Sequence, residues 1–170
     1  MDMNDVMKMM LNSGNIGQMG KLLGVNEQVA TSAIEEILPM LIKGMQGQAQ
    51  NKETQQGFLQ ALQDHGQKDT SDFTKFLKNV DTDDGAKIVK HLLGAKEEEV
   101  AAKAKKKSGL DTKTIMRIMA IAAPLLMSQM GKSAKTSAKS AGSDDMLSIV
   151  GGLLDGVDAS DIFKIAKKFF

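Results

Sequence analysis

Apolar residues recur at helical spacing along nearly the whole chain. Starting from Met3 they fall at positions i, i+3, i+4, i+7 and i+8, and Gly14 follows where that helix should end. The same spacing returns in segments that begin at Ile16, Phe58 and Ile88. No stretch alternates apolar and polar residues as a half-buried strand does. The sequence therefore predicts an all-α protein with roughly eight or nine helices.

Two of the apolar segments repeat each other. The number of residues from Gly24 to Gly109 equals the number from Pro39 to Pro124. The apolar positions between these anchors coincide without a gap, in the pairs Ala30 and Ile115, Ala33 and Ile118, Ile34 and Met119, Leu41 and Leu126, and Met45 and Met130. Such self-similarity is typical of a repeated helical unit.

A proline lies inside each of the two long apolar helices. Pro39 and Pro124 lack an amide donor, and each ring crowds the carbonyl four residues earlier, on Glu35 or Ala120. We therefore predict that both helices bend or restart there. The two prolines should occupy equivalent places in superposable units.

Composition divides the chain into three parts. Residues 1–130 form a helical domain with an internal duplication, at about 1–65 and 84–130. Residues 131–145 hold no large apolar residue, which is the composition of a flexible linker. Residues 146–170 are a C-terminal helical segment. The predicted fold is a compact multi-helix array of two similar units, with a tethered pair of helices at the C-terminus.

The last predicted helix is a candidate partner interface. Its apolar positions are Ile162, Phe163, Ile165, Ala166, Phe169 and Phe170. This apolar stripe is wider than is favourable on a helix surrounded by water, so we expect another surface to bury it. Three alternatives remain open: the segment docks on its own chain, on another copy, or on a membrane.

Charge and composition exclude several classes of protein. Lys and Arg number 22 against 21 Asp and Glu, which gives a formal net charge of +1. No global field attracts a polyanion, so nucleic acid is not an expected partner. The absence of Cys excludes disulfides and thiol chemistry, and 13 Met indicate an adaptable core. The N-terminus carries no secretory signal pattern, so a cytoplasmic location is expected.

No residue pattern predicts catalysis, a cofactor or a metal. His65 and His91 are the two histidines, and neither has a nucleophile or orienting group at a suggestive spacing. The acidic run from Asp81 to Asp84 lacks the Gly and Glu of a calcium loop, so Asp83 or Asp84 is better explained as a helix cap. Gly14, Gly17, Gly20 and Lys21 lack the spacing of a phosphate loop and are helix-stopping glycines.

Two further stretches have ordinary structural interpretations. Lys103, Lys105, Lys106 and Lys107 follow three glutamates on one predicted helix, an order that suits the helix dipole and a solvated surface. The apolar run from Ile118 to Met127 is too short for a membrane span and is predicted to be core.

Several segments resemble one bacterial family. They are Asp84 to Gly94, Ser108 to Asp111, Ala123 to Met127 and Ile37 to Leu41, within residues 20–131, together with the ending Asp161 to Phe170. These resemble the bacterial domain-of-unknown-function family 937, related to the YidB-like proteins. The resemblance implies a helical fold and a bacterial origin. Because the family has no established activity, it implies no catalytic residue.

Two functional hypotheses follow. The first is a non-catalytic helical interaction or self-assembly protein, which binds another protein or another copy of itself and has no evident small-molecule substrate. The alternative is a peripheral membrane-binding protein. In that case Lys164, Lys167 and Lys168 would form the basic face of an amphipathic C-terminal helix.

Overall fold

The computed structural model describes residues 3–141 and 146–155. All regular secondary structure in these ranges is helical, which confirms the predicted all-α class. The helices are α1 (Met3–Met10), α2 (Ser13–Leu23), α3 (Glu27–Gln50), α4 (Gln55–His65), α5 (Phe73–Asn79), α6 (Thr82–Leu93), α7 (Glu97–Ser108), α8 (Thr112–Ala141) and α9 (Met146–Asp155), with one 3-10 turn at Gly94–Lys96.

The long helices α3 and α8 begin in the same way. Gly24 and Gly109 end the preceding helices in the left-handed conformation, with φ of 69° and 76°. Asn26 and Asp111 then cap the long helices, because each side chain accepts a hydrogen bond from a backbone amide in the first turn (2.8 Å and 3.0 Å). Every residue of the aligned apolar pairs is buried. Superposition of the two complete units stays a prediction.

Both prolines lie within continuous helices. Neither α3 nor α8 ends and restarts at its proline, and a bend at either site stays a prediction. Pro124 leaves the carbonyl of Ala120 without its usual helical donor. Gly85 of α6 packs directly against that carbonyl, since a Cβ atom at position 85 would lie 1.8 Å from its oxygen. The proline therefore coincides with a close approach of α6 to α8.

The core is organised around α8 and α3. Helix α8 packs against α4, α6, α7 and α9, while α3 packs against α2, α6, α7 and α9. The run from Ile118 to Met127 is buried throughout, as predicted for core. Residues Thr112–Lys139 are long and apolar enough to cross a membrane by composition alone, and 83% of their most apolar window is buried inside the fold. Core helices of soluble proteins share these properties.

The predicted linker is largely helical. Residues 131–141 complete α8, so the flexible-linker prediction is wrong for them. Gly131 fits against α4: a Cβ atom there would lie 2.0 Å from the Leu62 carbonyl oxygen and 2.9 Å from the Gly66 Cα atom. Ser133 and Ala134 are also buried. Small residues allow this helix to pack by close backbone approach where large apolar side chains are missing. Residues 142–145 lie outside the described ranges.

The first helix of the predicted C-terminal pair joins the main core. Val150 and Leu154 of α9 are buried, and α9 packs on α3, α4 and α8. The Gln46 Nε2 atom of α3 donates a hydrogen bond to the Leu154 carbonyl (2.7 Å), which fixes the end of α9 on one face of α3. The second helix of the pair falls in 156–170, outside the described residues. The remaining domain division stays a prediction.

Candidate docking groove

A groove of about 370 Å³ lies where α3, α4, α6 and α8 meet. Its lining residues are Gln48, Glu53, Thr54, Gly57, Phe58, Ala61, Ile88, His91, Leu92 and Met127. We call it the α4–α6 groove. Phe58 and Ile88 give its walls an apolar character, whereas Glu53, Thr54 and His91 supply polar groups. An apolar groove with polar edges is the shape that accepts an amphipathic helix.

The lining carries little charge. Glu53 is acidic, and no Lys or Arg belongs to the lining formed by the described residues. His91 lies at the groove with its side chain exposed. A ligand with apolar residues on one face and cations beside them would complement this surface.

One end of the α4–α6 groove is fixed by the junction of α3 with α6. The last carbonyls of a helix lack intrahelical donors. Gln48 Nε2 satisfies one of them by donating to the His91 carbonyl (2.8 Å), and the Gln48 carbonyl accepts a hydrogen bond from the Thr54 hydroxyl (3.1 Å). Gly44 permits the approach, because a Cβ atom there would lie 2.6 Å from the Leu92 carbonyl oxygen.

A second cavity, of about 300 Å³, carries charges of both signs. Lys68 and Lys75 line it together with Asp69 and Asp81, beside Pro124. The two cations and two carboxylates offset each other, so this cavity favours neither an anion nor a cation.

His65 ends α4 in a charged cluster. Its Nε2 atom lies 3.7 Å from an Asp84 carboxylate oxygen, which Lys68 Nζ also approaches at 3.4 Å. The Nδ1 atom is buried without a hydrogen-bond partner. Burial, and secondarily the Lys68 charge, lower the pKa of His65 below its ordinary value, against the opposing effect of Asp84 and Asp64. The imidazole is therefore a packed group held in its neutral form.

This arrangement predicts an acid-sensitive component of stability. The unfolded chain takes up a proton at His65 near pH 6.5, while the folded chain binds it only at lower pH. The free energy of unfolding should be fully retained above pH 6.5 and fall as the pH drops toward the folded-state pKa, by at most about 1.4 kcal/mol per pH unit for one proton. Urea unfolding followed by circular dichroism at about pH 7.5 and about pH 5.5, above the range of most carboxylates, measures this loss.

The variant that tests this assignment is His65→Gln, which should shrink the difference in stability between the two pH values. Equal pH dependence in the parent and His65→Gln would show that His65 does not titrate differently in the two states.

A buried polar cluster holds the chain after α4 against α8. The Thr70 hydroxyl oxygen accepts hydrogen bonds from Gln129 Nε2 and Lys132 Nζ, both at 2.7 Å. The Ser128 hydroxyl donates to the Lys68 carbonyl at 3.4 Å. Of these contacts, only the one from Lys132 lies in the part of α8 that the sequence pattern assigned to a linker.

The acidic run before α6 caps the helix. One Asp81 carboxylate oxygen accepts hydrogen bonds from the amides of Asp83 (2.9 Å) and Asp84 (3.0 Å), and these bonds lower the pKa of Asp81. The structure thus confirms a cap in this run but moves it to Asp81, since Asp83 and Asp84 lie in the first turn of the helix.

The structure does not describe the predicted interface residues. Ile162, Phe163, Ile165, Ala166, Phe169 and Phe170 all lie beyond Asp155, so their role stays a prediction. The residues of the α4–α6 groove were missed as a site because their sequence positions match core positions. Phe58, Ile88 and Leu92 follow the helical period of core residues and are themselves buried, so their spacing does not distinguish them from the rest of the core.

The chain belongs to a bacterial protein family of unknown function. The family model for "bacterial protein of unknown function (DUF937)" matches residues 5–133, which is most of the chain and confirms the family resemblance. The match ends within α8 and includes every residue that lines the α4–α6 groove. No curated protein and no solved structure matches the chain. A relation to the YidB-like proteins stays an expectation.

Proposed function

We propose that this is a non-catalytic helical protein that acts by binding protein chains, further copies of itself included. The α4–α6 groove carries the proposal. Its apolar walls, formed by Phe58, Ile88 and Leu92 among others, are suited to the apolar face of a helix from another chain. Polar groups in the same lining, such as Glu53, Thr54 and His91, can form hydrogen bonds or ion pairs with polar side chains along the edges of that helix.

The C-terminal residues supply the complementary element. Ile162, Ile165, Ala166 and Phe169 share one stripe at helical spacing, which Phe163 and Phe170 widen. Burial of each phenylalanine contributes roughly 1.5–3 kcal/mol relative to exposure, so an uncovered stripe is unfavourable. When a protein partner buries the stripe, this free energy stabilises the complex.

The arrangement of titratable groups also supports a binding role. His65 is packed at the end of α4, and His91 lies on the surface at the groove. They belong to separate parts of the fold, and the Thr54 hydroxyl in the groove lining is engaged by the Gln48 carbonyl.

The proposal is tested by the double change Phe163→Ser and Phe169→Ser. Light scattering coupled to size-exclusion chromatography, over a range of protein concentrations, should show an oligomer for the parent and a monomer for the variant. Helical content and melting temperature should be retained, because the fold of residues 3–141 has its own core. A monomeric parent whose variant simply melts earlier would show that the segment is ordinary core of its own chain.

Peripheral membrane binding is the second candidate. Lys164, Lys167 and Lys168 alternate with the apolar stripe, as in helices that lie on anionic membranes. Sedimentation with vesicles containing an anionic phospholipid distinguishes the two functions. Binding that is lost on deletion of residues 159–170 favours the membrane role, whereas a defined oligomer that does not sediment with vesicles favours protein binding.

A further inference from the structure

The chain that leaves α4 is held against α8 before α5 begins. We call residues 66–71 the α4–α5 strap. We propose that His65 is a pH-sensitive switch for this strap: protonation of its imidazole releases the strap and the end of α4 from α8, while the other helices stay folded. This switch is independent of the proposed function, because it needs no partner.

The α4–α5 strap meets α8 at Gly66, Lys68 and Thr70. Gly66 packs against the backbone of Gly131, and the other two residues form hydrogen bonds with α8 side chains. The distances are 3.4 Å at the Lys68 carbonyl and 2.7 Å at the Thr70 hydroxyl. Each contact requires close approach, so movement of the strap away from α8 breaks all three. Because His65 directly precedes Gly66, movement of one displaces the other.

The His65 imidazole is packed in a form that a proton would disturb. The residue is 8% exposed, and its Nδ1 atom is buried without a hydrogen-bond partner. A neutral imidazole has one N–H donor, whereas an imidazolium carries a donor on both nitrogens. In the closed strap the protonated ring would therefore bury a charge together with an N–H group that has no acceptor.

The nearest charges compensate poorly for that cost. His65 Nε2 lies 3.7 Å from an Asp84 carboxylate oxygen, and Lys68 Nζ lies closer to the same oxygen, at 3.4 Å. The Asp84 side chain is 40% exposed, so water screens its attraction for an imidazolium. Burial and the Lys68 charge lower the pKa of His65, against the opposing effect of Asp84 and Asp64.

Helix α8 adds only cations to this junction. It contains no Asp or Glu, while Lys132 Nζ reaches the Thr70 hydroxyl (2.7 Å) and Lys135 Nζ the Gln63 carbonyl (3.5 Å). The other acidic groups of α3, α6, α9 and the strap form no ion pair with His65 in the described ranges; they are Glu27, Glu35, Glu36, Asp69, Asp83 and Asp155. A protonated His65 therefore gains no further counter-charge from the elements around α4.

Acid thus favours release of the α4–α5 strap. In the open state His65 is in water and takes up its proton near pH 6.5, whereas in the closed state it does so only at lower pH. Each pH unit below 6.5 raises the ratio of open to closed molecules by at most about tenfold, until the pH reaches the closed-state pKa. Well above pH 6.5 this ratio is constant.

Amide hydrogen exchange of the full-length protein tests the switch. The Gly66 amide donates to the Leu62 carbonyl (2.8 Å) and the Lys68 amide to the His65 carbonyl (3.0 Å), so their protection reports the closed strap. After correction for intrinsic exchange rates, this protection should fall several-fold, at most about tenfold, between about pH 7.5 and about pH 5.5. It should also be weaker than the protection of Leu41 in the core of α3 at both pH values, because the release is local.

Three variants assign the effect to this cluster. His65→Gln removes the titrating group and should make the protection of the Gly66 amide equal at the two pH values. Lys68→Gln removes the competing cation, so that Asp84 attracts the imidazolium unopposed, and should weaken the fall in protection. Asp84→Asn removes that attraction and should bring the fall closer to the tenfold limit.

Two kinds of result would overturn the switch. The first is a fall in protection that persists in His65→Gln, or that Lys68→Gln and Asp84→Asn change in the same direction. The second is exchange of the Gly66 amide with the same protection as Leu41 at both pH values. In that case the strap would open only when the whole fold does.

Discussion

Replacing Gly131 with alanine is expected to lower the free energy of unfolding by about 3 kcal/mol or more. The new Cβ atom would lie 2.0 Å from the Leu62 carbonyl oxygen and 2.9 Å from the Gly66 Cα atom. Both neighbours are backbone atoms, which cannot rotate away, so α4 and α8 would have to separate. Overpacking of this kind costs typically about 1–3 kcal/mol and occasionally more. Urea unfolding followed by circular dichroism measures the loss.

Gly47→Ala is the matched control for Gly131→Ala. Gly47 also lies inside a long helix, but a Cβ atom there meets no other atom within 4 Å. Alanine is intrinsically favoured over glycine in helices, so this change should stabilise the protein by roughly 0.5–1 kcal/mol. A Gly131→Ala variant as stable as the control would mean that position 131 does not pack against α4. Residues 131–141 would then be better described as a flexible linker.

Gly85→Ala is expected to destabilise the fold by a similar or larger amount, about 3 kcal/mol or more. Its Cβ atom would lie 1.8 Å from the Ala120 oxygen and 2.7 Å from the Ala120 carbonyl carbon. This carbonyl belongs to the turn that Pro124 leaves without a donor. The substitution therefore pushes α6 away from α8 at this close contact, and the same unfolding measurement detects it.

The control for Gly85→Ala is Gly57→Ala. Both glycines lie in the first turns of a helix, but only at Gly57 is the added methyl group free of contacts within 4 Å. Gly57→Ala should leave stability unchanged or raise it slightly. Equal stability of the two variants would contradict the close packing of α6 on α8.

Some local features of this fold depend only on neighbouring residues, so a sequence can indicate them. Gly24 and Gly109 adopt the left-handed conformation, and Asn26 and Asp111 cap the helices that follow. These features require only a glycine without a Cβ penalty and a short polar side chain near free amides. The apolar period likewise identified the buried helices.

The long-range features could not be read from one sequence. The contact of Gly131 with Leu62 and Gly66 joins residues far apart in the chain, and small residues carry no hydrophobic signal. A stretch without large side chains therefore resembled a linker although it packs closely. Thr70, which accepts hydrogen bonds from Gln129 and Lys132, is equally unremarkable as a sequence position.

The α4–α6 groove could not be predicted from the sequence for a different reason. Phe58, Ile88 and Leu92 follow the same period as residues enclosed on all sides. Whether such a residue lines a groove depends on how several helices from distant parts of the chain pack together. The C-terminal stripe, by contrast, was evident from spacing alone and stays a prediction.

Covalent trapping between two copies tests the central claim most directly, because the chain contains no Cys to compete. A Gly57→Cys chain is mixed with a Phe170→Cys chain under mild oxidation, and products are separated by mass without reductant. The account predicts a disulfide-linked heterodimer that forms well above the level seen when Gly47→Cys replaces Gly57→Cys. Cross-linking of Phe170→Cys that is no more efficient with Gly57→Cys than with Gly47→Cys would contradict docking of the C-terminal segment in the α4–α6 groove of a second copy.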